Sequence, residues 1–563
     1  MPSLRAVLKV RSVNQPIFVL TLASLAALPA LAQTNTNPIT REAVRGAETL
    51  LGLDFSERKI DLILPGLKEQ LDNFAVMRRF ALSNGVPPAI QFNPIPAGFK
   101  FETARRRFKA SPASQVKLPP NPDDLAFFSM GELAALIKSR RLTSETLTRL
   151  CLDRLKRFGP KLECVVTLTE ELALEQARRA DREIAAGRYR GPLHGIPYGA
   201  KDLLATKGTR ATWGAAPFTN QVFDFDATVI RRLEQAGAVL VAKTTLGELA
   251  WGDVWFGGMT RNPWDLNKGS SGSSAGSVAG VAAGLFPFAI GSETYGSIVS
   301  PCDRCGVTGL RPTYGRVSRH GAMALSWTMD KIGALARTVE DCALVFNAIH
   351  GPDGVDQTLY DAPFNYTPGV NLKKLRVGYL KGDFDKEKDE RKANDEATLA
   401  KLRELGADLL PVELPAFPLN DISLVLSTEG AAAFDDLTLS GRDDWMKRQE
   451  RASWPNVFRE ARFIPAVEYL QAQRIRHLLV QETAKVFARF DVLIAPSQTG
   501  GSLLLGNLTG HPCVVLPNGF SPAGTPTSIC FIGKLFGEAR LLAVAKAYQD
   551  ATDFHRKHPP LLE

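Results

Sequence analysis

Three separated residues have the side-chain types that acyl-transfer chemistry requires. Lys201 lies in GIPYGAKDLLATKG, Ser273 lies in the Gly/Ser-rich run GSSGSSAGSVAGVAAG at 269–284, and Ser297 lies in GSETYGSIVSP. A serine hydroxyl attacks a carbonyl group only when another group takes its proton. No histidine belongs to these segments, whereas Lys201 sits at the end of a predicted strand. The pattern therefore predicts a Ser–Ser–Lys site rather than a Ser–His–Asp triad.

The elements that would position these residues alternate between strands and helices. Strands are predicted at 195–204, 238–242 and 286–290, and helices at 228–236 and 274–284. Such alternation is typical of an α/β layered fold. We therefore expect residues 123–563 to form one large α/β/α layered domain around a mixed, mostly parallel sheet. Composition agrees, because 45% hydrophobic residues can bury a large core.

Residues 33–122 are predicted to be a separate arm. Apolar residues recur at helical spacing within residues 38–82, so this part should be a helical N-terminal arm. The many prolines between residues 83 and 122 predict an extended connection along the surface. The arm could cover the main domain or support a homodimer.

The first 32 residues have the features of a secretory signal. The basic residues Arg5, Lys9 and Arg11 precede an apolar run at 17–32, which ends in an A-x-A cleavage pattern before Gln33. The run is short for a membrane span, which needs about 20 residues. An uncleaved anchor is the alternative. We expect a periplasmic or secreted protein.

Charge and cysteine content exclude two other classes of protein. Loss of the signal would lower the net charge from +9 to about +6, and no basic cluster with interleaved aromatic residues predicts nucleic-acid binding. Seven cysteines include one C-x-x-C pair, Cys302 and Cys305. A four-cysteine zinc site needs a second such pair, which the sequence lacks. A dithiol, a disulfide or packed thiols remain open for this pair.

Several motifs, in order, resemble the amidase signature family. The matching stretches are PLHGIPYGAKDLLATKG at 192–208, the long segment at 272–321, SWTMDKIGALARTVEDCA at 326–343, LTGHPCVVLPNGF at 508–520 and the segment at 524–552. The resemblance spans roughly residues 124–555. It implies hydrolysis of a C–N amide bond through an acyl-enzyme, with release of a carboxylic acid and ammonia or an amine. It implies no metal or other cofactor.

The resemblance assigns roles to the three residues. It implies that Ser297 is the nucleophile, that Ser273, preceded by a cis peptide bond, is the proton shuttle, and that Lys201 is the base. Lysine ordinarily titrates near 10.4, so this base must have a lowered pKa, which burial provides. By position, the oxyanion hole consists of the backbone N–H groups of Thr294, Tyr295, Gly296 and Ser297.

This chain departs from the family pattern TDTGGSIR, since it has SETYGSIV. Glu293 replaces an aspartate, Tyr295 a glycine and Val299 an arginine. We expect Arg304 to take over the pairing with Glu293. A tyrosine costs free energy where a glycine has a positive φ angle, so Tyr295 should be strained if that angle is kept.

Other functions are compatible with parts of this pattern. Residues 272–276 also fit G-x-S-x-G, which would make Ser274 the nucleophile of an α/β-hydrolase. A non-catalytic binding protein on the same scaffold, a carbamate or ester hydrolase, and the amide-transferring subunit of a tRNA amidotransferase are further alternatives. The expected substrate is a small amide, for example an aryl amide or a peptide C-terminal amide.

Overall fold

The computed structural model describes residues 39–79, 82–112, 116–387 and 389–560, with the backbone alone at residues 389 and 390. The predicted signal peptide at 1–32 lies outside these residues. The chain divides into two compact units between residues 81 and 82. This division falls earlier than the boundary at residue 122 expected from sequence, so the proline-rich connection belongs to the larger unit.

The described part of the first unit consists of two helices, α1 (Arg41–Leu51) and α2 (Glu57–Met77). Thr40 caps α1 by accepting a hydrogen bond from the Ala43 N–H, and Gly52 ends the helix in the left-handed conformation. The N-terminal arm is therefore helical, as its apolar periodicity predicts.

The second unit contains the remaining helices and all the strands of the described residues. The helices are α3 (Met130–Lys138), α4 (Ser144–Leu162), α5 (Glu170–Ala185), α6 (Thr228–Gln235), α7 (Ala275–Ala282), α8 (Val299–Cys305), α9 (Val339–Ile349), α10 (Lys381–Lys386), α11 (Asp389–Glu404), α12 (Leu419–Ile422), α13 (Leu424–Ala433), α14 (Asp435–Leu439), α15 (Trp454–Ala461), α16 (Ala466–Arg489), α17 (Ser502–Thr509) and α18 (Glu538–Asp550). The strands are β1 (Val165–Leu168), β2 (Pro197–Lys201), β3 (Val239–Thr244), β4 (Val254–Trp255), β5 (Gly258–Met259), β6 (Arg261–Asn262), β7 (Asp265–Gly269), β8 (Phe288–Glu293), β9 (Thr308–Arg311), β10 (Lys331–Ala336), β11 (Val377–Leu380), β12 (Leu409–Val412), β13 (Val492–Pro496), β14 (Cys513–Phe520) and β15 (Pro526–Gly533).

Eleven strands form one mixed sheet in the order β1-β3-β2-β8-β10-β9-β14-β15-β13-β11-β12. Strand β2 is parallel to both β3 and β8, and β11 is parallel to β13 and β12. The strands between β8 and β13 pair antiparallel with their neighbours. The parallel β3-β2-β8 group brings three strand ends to one edge of the sheet, which is where ligands bind in open α/β sheets.

Helices cover both faces of the sheet. On β3, Leu240 packs into one hydrophobic cluster while Val239 and Val241 pack into the other, because successive side chains of a strand point to opposite faces. The first cluster includes residues of α3, α6, α9 and α18, and the second includes residues of α4, α5, α7 and α8. The fold is thus the predicted α/β/α layered arrangement. Among the described residues, no helix is long and apolar enough to span a bilayer.

Candidate active site

Lys201 is the last residue of β2 and is completely buried. Its Nζ lies 2.8 Å from Ser273 Oγ, 3.1 Å from Ser274 Oγ, and 3.0 Å from Ser292 Oγ. The Ser292 carbonyl oxygen lies farther away, at 3.4 Å. Burial lowers the pKa of Lys201 to about 7, although Asp330 and Glu293 oppose this shift. At neutral pH, Lys201 is therefore a neutral amine in a substantial fraction of the protein molecules.

Ser274 orients the amine toward Ser273. Its hydroxyl donates to the Ser292 carbonyl oxygen at 3.1 Å and accepts from the Ser292 N–H at 3.2 Å. Since its single proton is used, it can only accept from Lys201. With one N–H on Ser274 and another on Ser292, the lone pair of a neutral Lys201 faces the Ser273 hydroxyl. That arrangement suits a base that removes a proton from Ser273.

The loop that carries Ser273 has no space for a side chain at Gly272. The peptide bond between Gly272 and Ser273 is cis, as the family resemblance implies. A Cβ atom on Gly272 would lie 1.9 Å from the Gly252 carbonyl oxygen, so only glycine fits. Asp253 accepts a hydrogen bond from the Ser271 N–H at 2.8 Å. The loop is thereby fixed to the segment that follows β3.

Ser297 lies just before α8, on the same edge of the sheet. Its carbonyl oxygen accepts from the Ser274 N–H at 3.1 Å, so backbone contact joins the two serine segments. The residue is 8% exposed, and its hydroxyl makes no hydrogen bond to any described residue. Catalytic hydrogen bonds often become short only when substrate is bound. The structure therefore brings Ser297, Ser273 and Lys201 into one region, with Ser273 directly on Lys201.

Glu293 fixes the turn that contains Ser297. One carboxylate oxygen accepts from the Ile298 and Val299 N–H groups at 2.8 and 2.9 Å. The other accepts from Arg311 at 2.6 Å and from Asn507 at 2.8 Å. Burial would raise the pKa of Glu293, but Arg311 and these hydrogen bonds outweigh it and lower the pKa to about 2. Glu293 is consequently ionised at any working pH.

The expectation that Arg304 pairs with Glu293 is wrong, because Arg311 does so. Arg304 lies in the last turn of α8 and is exposed, whereas Arg311 ends β9 and is buried beside Glu293. Glu293 accepts hydrogen bonds from the N–H groups at the start of α8. It therefore lies at the N-terminal end of that helix, away from Arg304 in the last turn.

The predicted oxyanion segment, residues 294–297, has its positive φ angle at Gly296, where φ is +86°. Tyr295 does not have a positive φ angle, so the expected strain at this residue is absent. The residue is 46% exposed and lies two positions before Ser297 in the chain. Thr294 donates through its hydroxyl to Asp330 at 2.6 Å, which holds the start of the segment in place.

The structure gives no support to the nucleophile-elbow alternative. Ser274 is fully buried, and its hydroxyl bonds to Lys201 and Ser292. No histidine within the described ranges bonds to it.

All seven cysteines are buried free thiols. Cys302 and Cys305 lie on α8, and the other five lie elsewhere in the fold. No group of three or more potential metal ligands occurs in the described part of the chain.

Comparison with known proteins identifies the family. A model of the Amidase family matches residues 146–506, so the chain belongs to this family. The glutamyl-tRNA(Gln) amidotransferase A subunit of Moorella thermoacetica is 35% identical over 485 residues, covering 78% of this chain and 99% of that protein. Its counterpart from Dechloromonas aromatica is 36% identical over 483 residues, covering 77% and 99%.

Solved structures of similar fold include a peptide amidase and a cyclic dimer hydrolase. Native peptide amidase from Stenotrophomonas maltophilia has a TM-score of 0.66 and 30% identity, and the match covers 76% of this chain and 98% of that chain. A 6-aminohexanoate cyclic dimer hydrolase complexed with substrate has a TM-score of 0.69 and 25% identity, covering 78% and 100%. Both matches include nearly the whole of the other chain.

Sequence reasoning missed three residues that shape the site, Ser292, Arg311 and Asp330, and named Ser274 only as an alternative nucleophile. Ser274 and Ser292 contact the amine, and their adjacency to Ser273 and Glu293 in the motifs was the available signal. Arg311 on β9 contacts Glu293 on β8. Asp330, just before β10, contacts Thr294. No local pattern in the sequence indicates those two contacts.

Proposed function

We propose that this protein hydrolyses a linear C–N amide bond through an acyl-enzyme, with Ser297 as nucleophile, Ser273 as proton shuttle and Lys201 as base. The observation that carries the proposal is the 2.8 Å contact between Lys201 Nζ and Ser273 Oγ at a fully buried site. Burial lowers the pKa of Lys201 to about 7, as a base acting at neutral pH requires. Membership of the amidase family supports the reaction class.

The reaction has two halves that use the same residues. Lys201 takes the proton of Ser273 while Ser273 takes that of Ser297, and the Ser297 oxygen forms a bond to the carbonyl carbon. Backbone N–H groups of residues 294–297 stabilise the oxyanion. When it collapses, the C–N bond breaks, the leaving amine receives a proton from Ser273, and Lys201 returns to Ser273 the proton that it took, so that Lys201 is again a neutral base. Water then attacks the acyl-enzyme by the same proton path, which releases the carboxylic acid and restores Ser297.

We propose a small amide as substrate, with carbamates and esters as alternatives for the same site. The test is a panel of small aryl amides, peptide C-terminal amides, carbamates and esters, assayed with the wild type and with Ser297→Ala. Turnover of an amide that is lost in Ser297→Ala supports the proposal. Turnover that survives unchanged in a clean preparation of Ser297→Ala would falsify the nucleophile assignment.

Transfer of ammonia from glutamine is the second candidate, because the curated relatives are named as amidotransferase subunits and are matched over 99% of their length. The predicted signal at 1–32 argues against it, since charged tRNA is not exported. Release of ammonia from glutamine, together with co-purification of other subunits from the native host, would favour this candidate. Efficient turnover of simple amides by the purified chain alone would favour the hydrolase.

We also propose that the chain is exported and cleaved after Ala32, on the strength of the n-region, apolar run and A-x-A pattern. The mass of the protein recovered from a periplasmic fraction tests this. A mature N-terminus at Gln33 is expected, and an intact Met1 in the cytoplasm would contradict export. The predicted homodimer can be tested on the same sample by light scattering.

A further inference from the structure

The loop at residues 323–330 holds the oxyanion segment in position. The N–H groups of Leu325 and Ser326 donate to one carboxylate oxygen of Asp330, at 2.8 and 3.0 Å. The other oxygen accepts from the Thr294 hydroxyl at 2.6 Å. The shape of the loop therefore fixes Asp330, and Asp330 fixes Thr294, the first of the proposed oxyanion donors.

Asn84 binds this loop from a distant part of the chain. Its Oδ1 accepts from the Ala324 N–H at 2.7 Å, and its Nδ2 donates to the Ala324 carbonyl oxygen at 2.7 Å. The same Nδ2 lies 3.3 Å from the Ala433 carbonyl oxygen at the end of α13. One amide side chain thus pairs with both polar groups of one loop residue and joins the loop to a helix.

Phe92 contacts the side chains that hold the rest of the loop. The Arg476 guanidinium carbon lies 3.7 Å from the centre of the Phe92 ring, and the Tyr314 ring meets it edge-on at 5.2 Å. Arg476 donates to the Thr328 carbonyl oxygen at 2.9 Å, and the Tyr314 hydroxyl donates to that of Trp327 at 2.8 Å.

We infer that residues 84–92 form a strap that positions the oxyanion segment, with Asn84 as the positioning residue. The strap precedes residues 146–506, which match the family model. A segment outside the matched region therefore helps to hold the candidate site in position. The inference rests on the proposed function, because it assigns the Thr294 N–H to the oxyanion. Asn84 acts through Ala324 and Asp330 and does not itself contact the reacting atoms.

The test compares Asn84→Ala and Asn84→Asp with Asn93→Ala. Asn84→Asp keeps one acceptor but loses the donor to Ala324 and Ala433. Asn93 is an exposed asparagine in the same segment that bonds to Tyr360 and to its own loop, so it is the matched control. We expect kcat to fall about 5–10-fold in both Asn84 variants, the scale of one lost hydrogen bond, with KM within about twofold of wild type. Asn93→Ala should stay within about twofold in both.

Two further measurements separate positioning from a general loss of structure. A substrate-like aldehyde that forms a tetrahedral adduct with serine should bind the Asn84 variants more weakly, by the same factor as kcat/KM falls. Hydrogen exchange of peptides covering residues 323–330 should become faster in Asn84→Ala, and this readout does not depend on turnover. A general loss of stability would speed exchange in protected peptides throughout the fold, whereas loss of the strap should speed it selectively at residues 323–330.

The outcomes distinguish the strap from the proposed function. If wild-type protein turns over amides and the Asn84 variants match it in kcat and aldehyde affinity, the strap is overturned. Unchanged exchange at 323–330 also overturns it, whatever the activity. If wild-type protein neither turns over amides nor binds the aldehyde, the proposed function fails first, and the positioning role of Asn84 in catalysis fails with it.

Discussion

The amine of Lys201 lies 2.8 Å from the hydroxyl of Ser273, and neither side chain is exposed to solvent. No carboxylate of the described residues forms an ion pair with this lysine, since its nearest partners are three serine hydroxyls. Burial without a counter-ion disfavours the ammonium form, so the same packing that hides Lys201 makes it a base near neutral pH.

The activity should therefore rise with pH around the Lys201 pKa. Below about pH 7 the amine is protonated and cannot accept a proton, so kcat/KM should increase through that region and level off above it. Lys201→Ala should lose activity mainly near neutral pH and recover partly at high pH. Lys207→Ala, at an exposed lysine of the same segment, is the control. A Lys201→Ala profile with the shape and height of the wild-type profile would rule out this base.

Ser273 and Ser274 should differ sharply when each is replaced by alanine. Ser273→Ala removes the hydroxyl that we propose carries the proton from Ser297 to Lys201, so kcat should fall by about 10²–10⁴-fold. Ser274→Ala removes one of the acceptors that orient Lys201 and should cost about tenfold or less. Steady-state kinetics on both variants check this. A larger loss in Ser274→Ala than in Ser273→Ala would contradict the assignment.

Removal of Arg311 should destabilise the fold. Arg311→Gln leaves the buried Glu293 carboxylate without its cation, which costs about 3–5 kcal/mol of unfolding free energy. Arg304→Gln, at an exposed position on α8, should have little effect. Urea unfolding at pH 7 measures both variants, and equal stability of the two would contradict the role of Arg311.

The Glu293 contribution to stability also has a defined pH dependence. Its folded-state pKa, about 2, is below the usual glutamate value, so the stabilisation is fully present above about pH 4.3 and is lost as the pH falls toward 2. Wild-type unfolding free energy should therefore decrease over this interval. The decrease should be smaller in Arg311→Gln, because losing the cation raises the folded-state pKa.

Tyr295 should influence substrate choice more than stability. Because its φ angle is not positive, Tyr295→Gly relieves no strain and should lower the unfolding free energy by about 0.5–1 kcal/mol. Its half-exposed ring lies two residues before Ser297, so its removal should raise kcat/KM for bulky amides relative to small ones. Tyr295→Phe keeps the ring and should retain the wild-type ratio. An unchanged ratio in Tyr295→Gly would show that the ring does not restrict the site.

The sequence predicted the elements around the site well, because each is a short apolar run with clear breaks. The predicted strand at 238–242 is β3 at Val239–Thr244, and the predicted helix at 274–284 is α7 at Ala275–Ala282. The strand predicted at 195–204 is shorter, since β2 ends at Lys201. Hydrophobic pattern shows that a strand exists, whereas its end depends on which neighbour it pairs with.

The contacts that support the site could not be read in the same way. Arg311 was missed because it meets Glu293 across strands β8, β10 and β9, while the nearer Arg304 points to solvent. Asn84 meets Ala324 at a sequence separation of 240 positions, and neither residue belongs to a recognisable pattern. Sequence motifs locate the reacting groups. The residues that hold those groups in position depend on long-range packing, which cannot be read from one sequence.

The most direct test of the Ser–Ser–Lys mechanism is the site of labelling by a serine-directed fluorophosphonate, measured by intact mass and peptide mapping of the purified protein. We expect one adduct, on the peptide containing Ser297, and strongly reduced labelling in Lys201→Ala at neutral pH. An adduct on Ser274 would contradict the mechanism in favour of the nucleophile elbow. The absence of any adduct in folded wild-type protein would contradict it in favour of a non-catalytic scaffold.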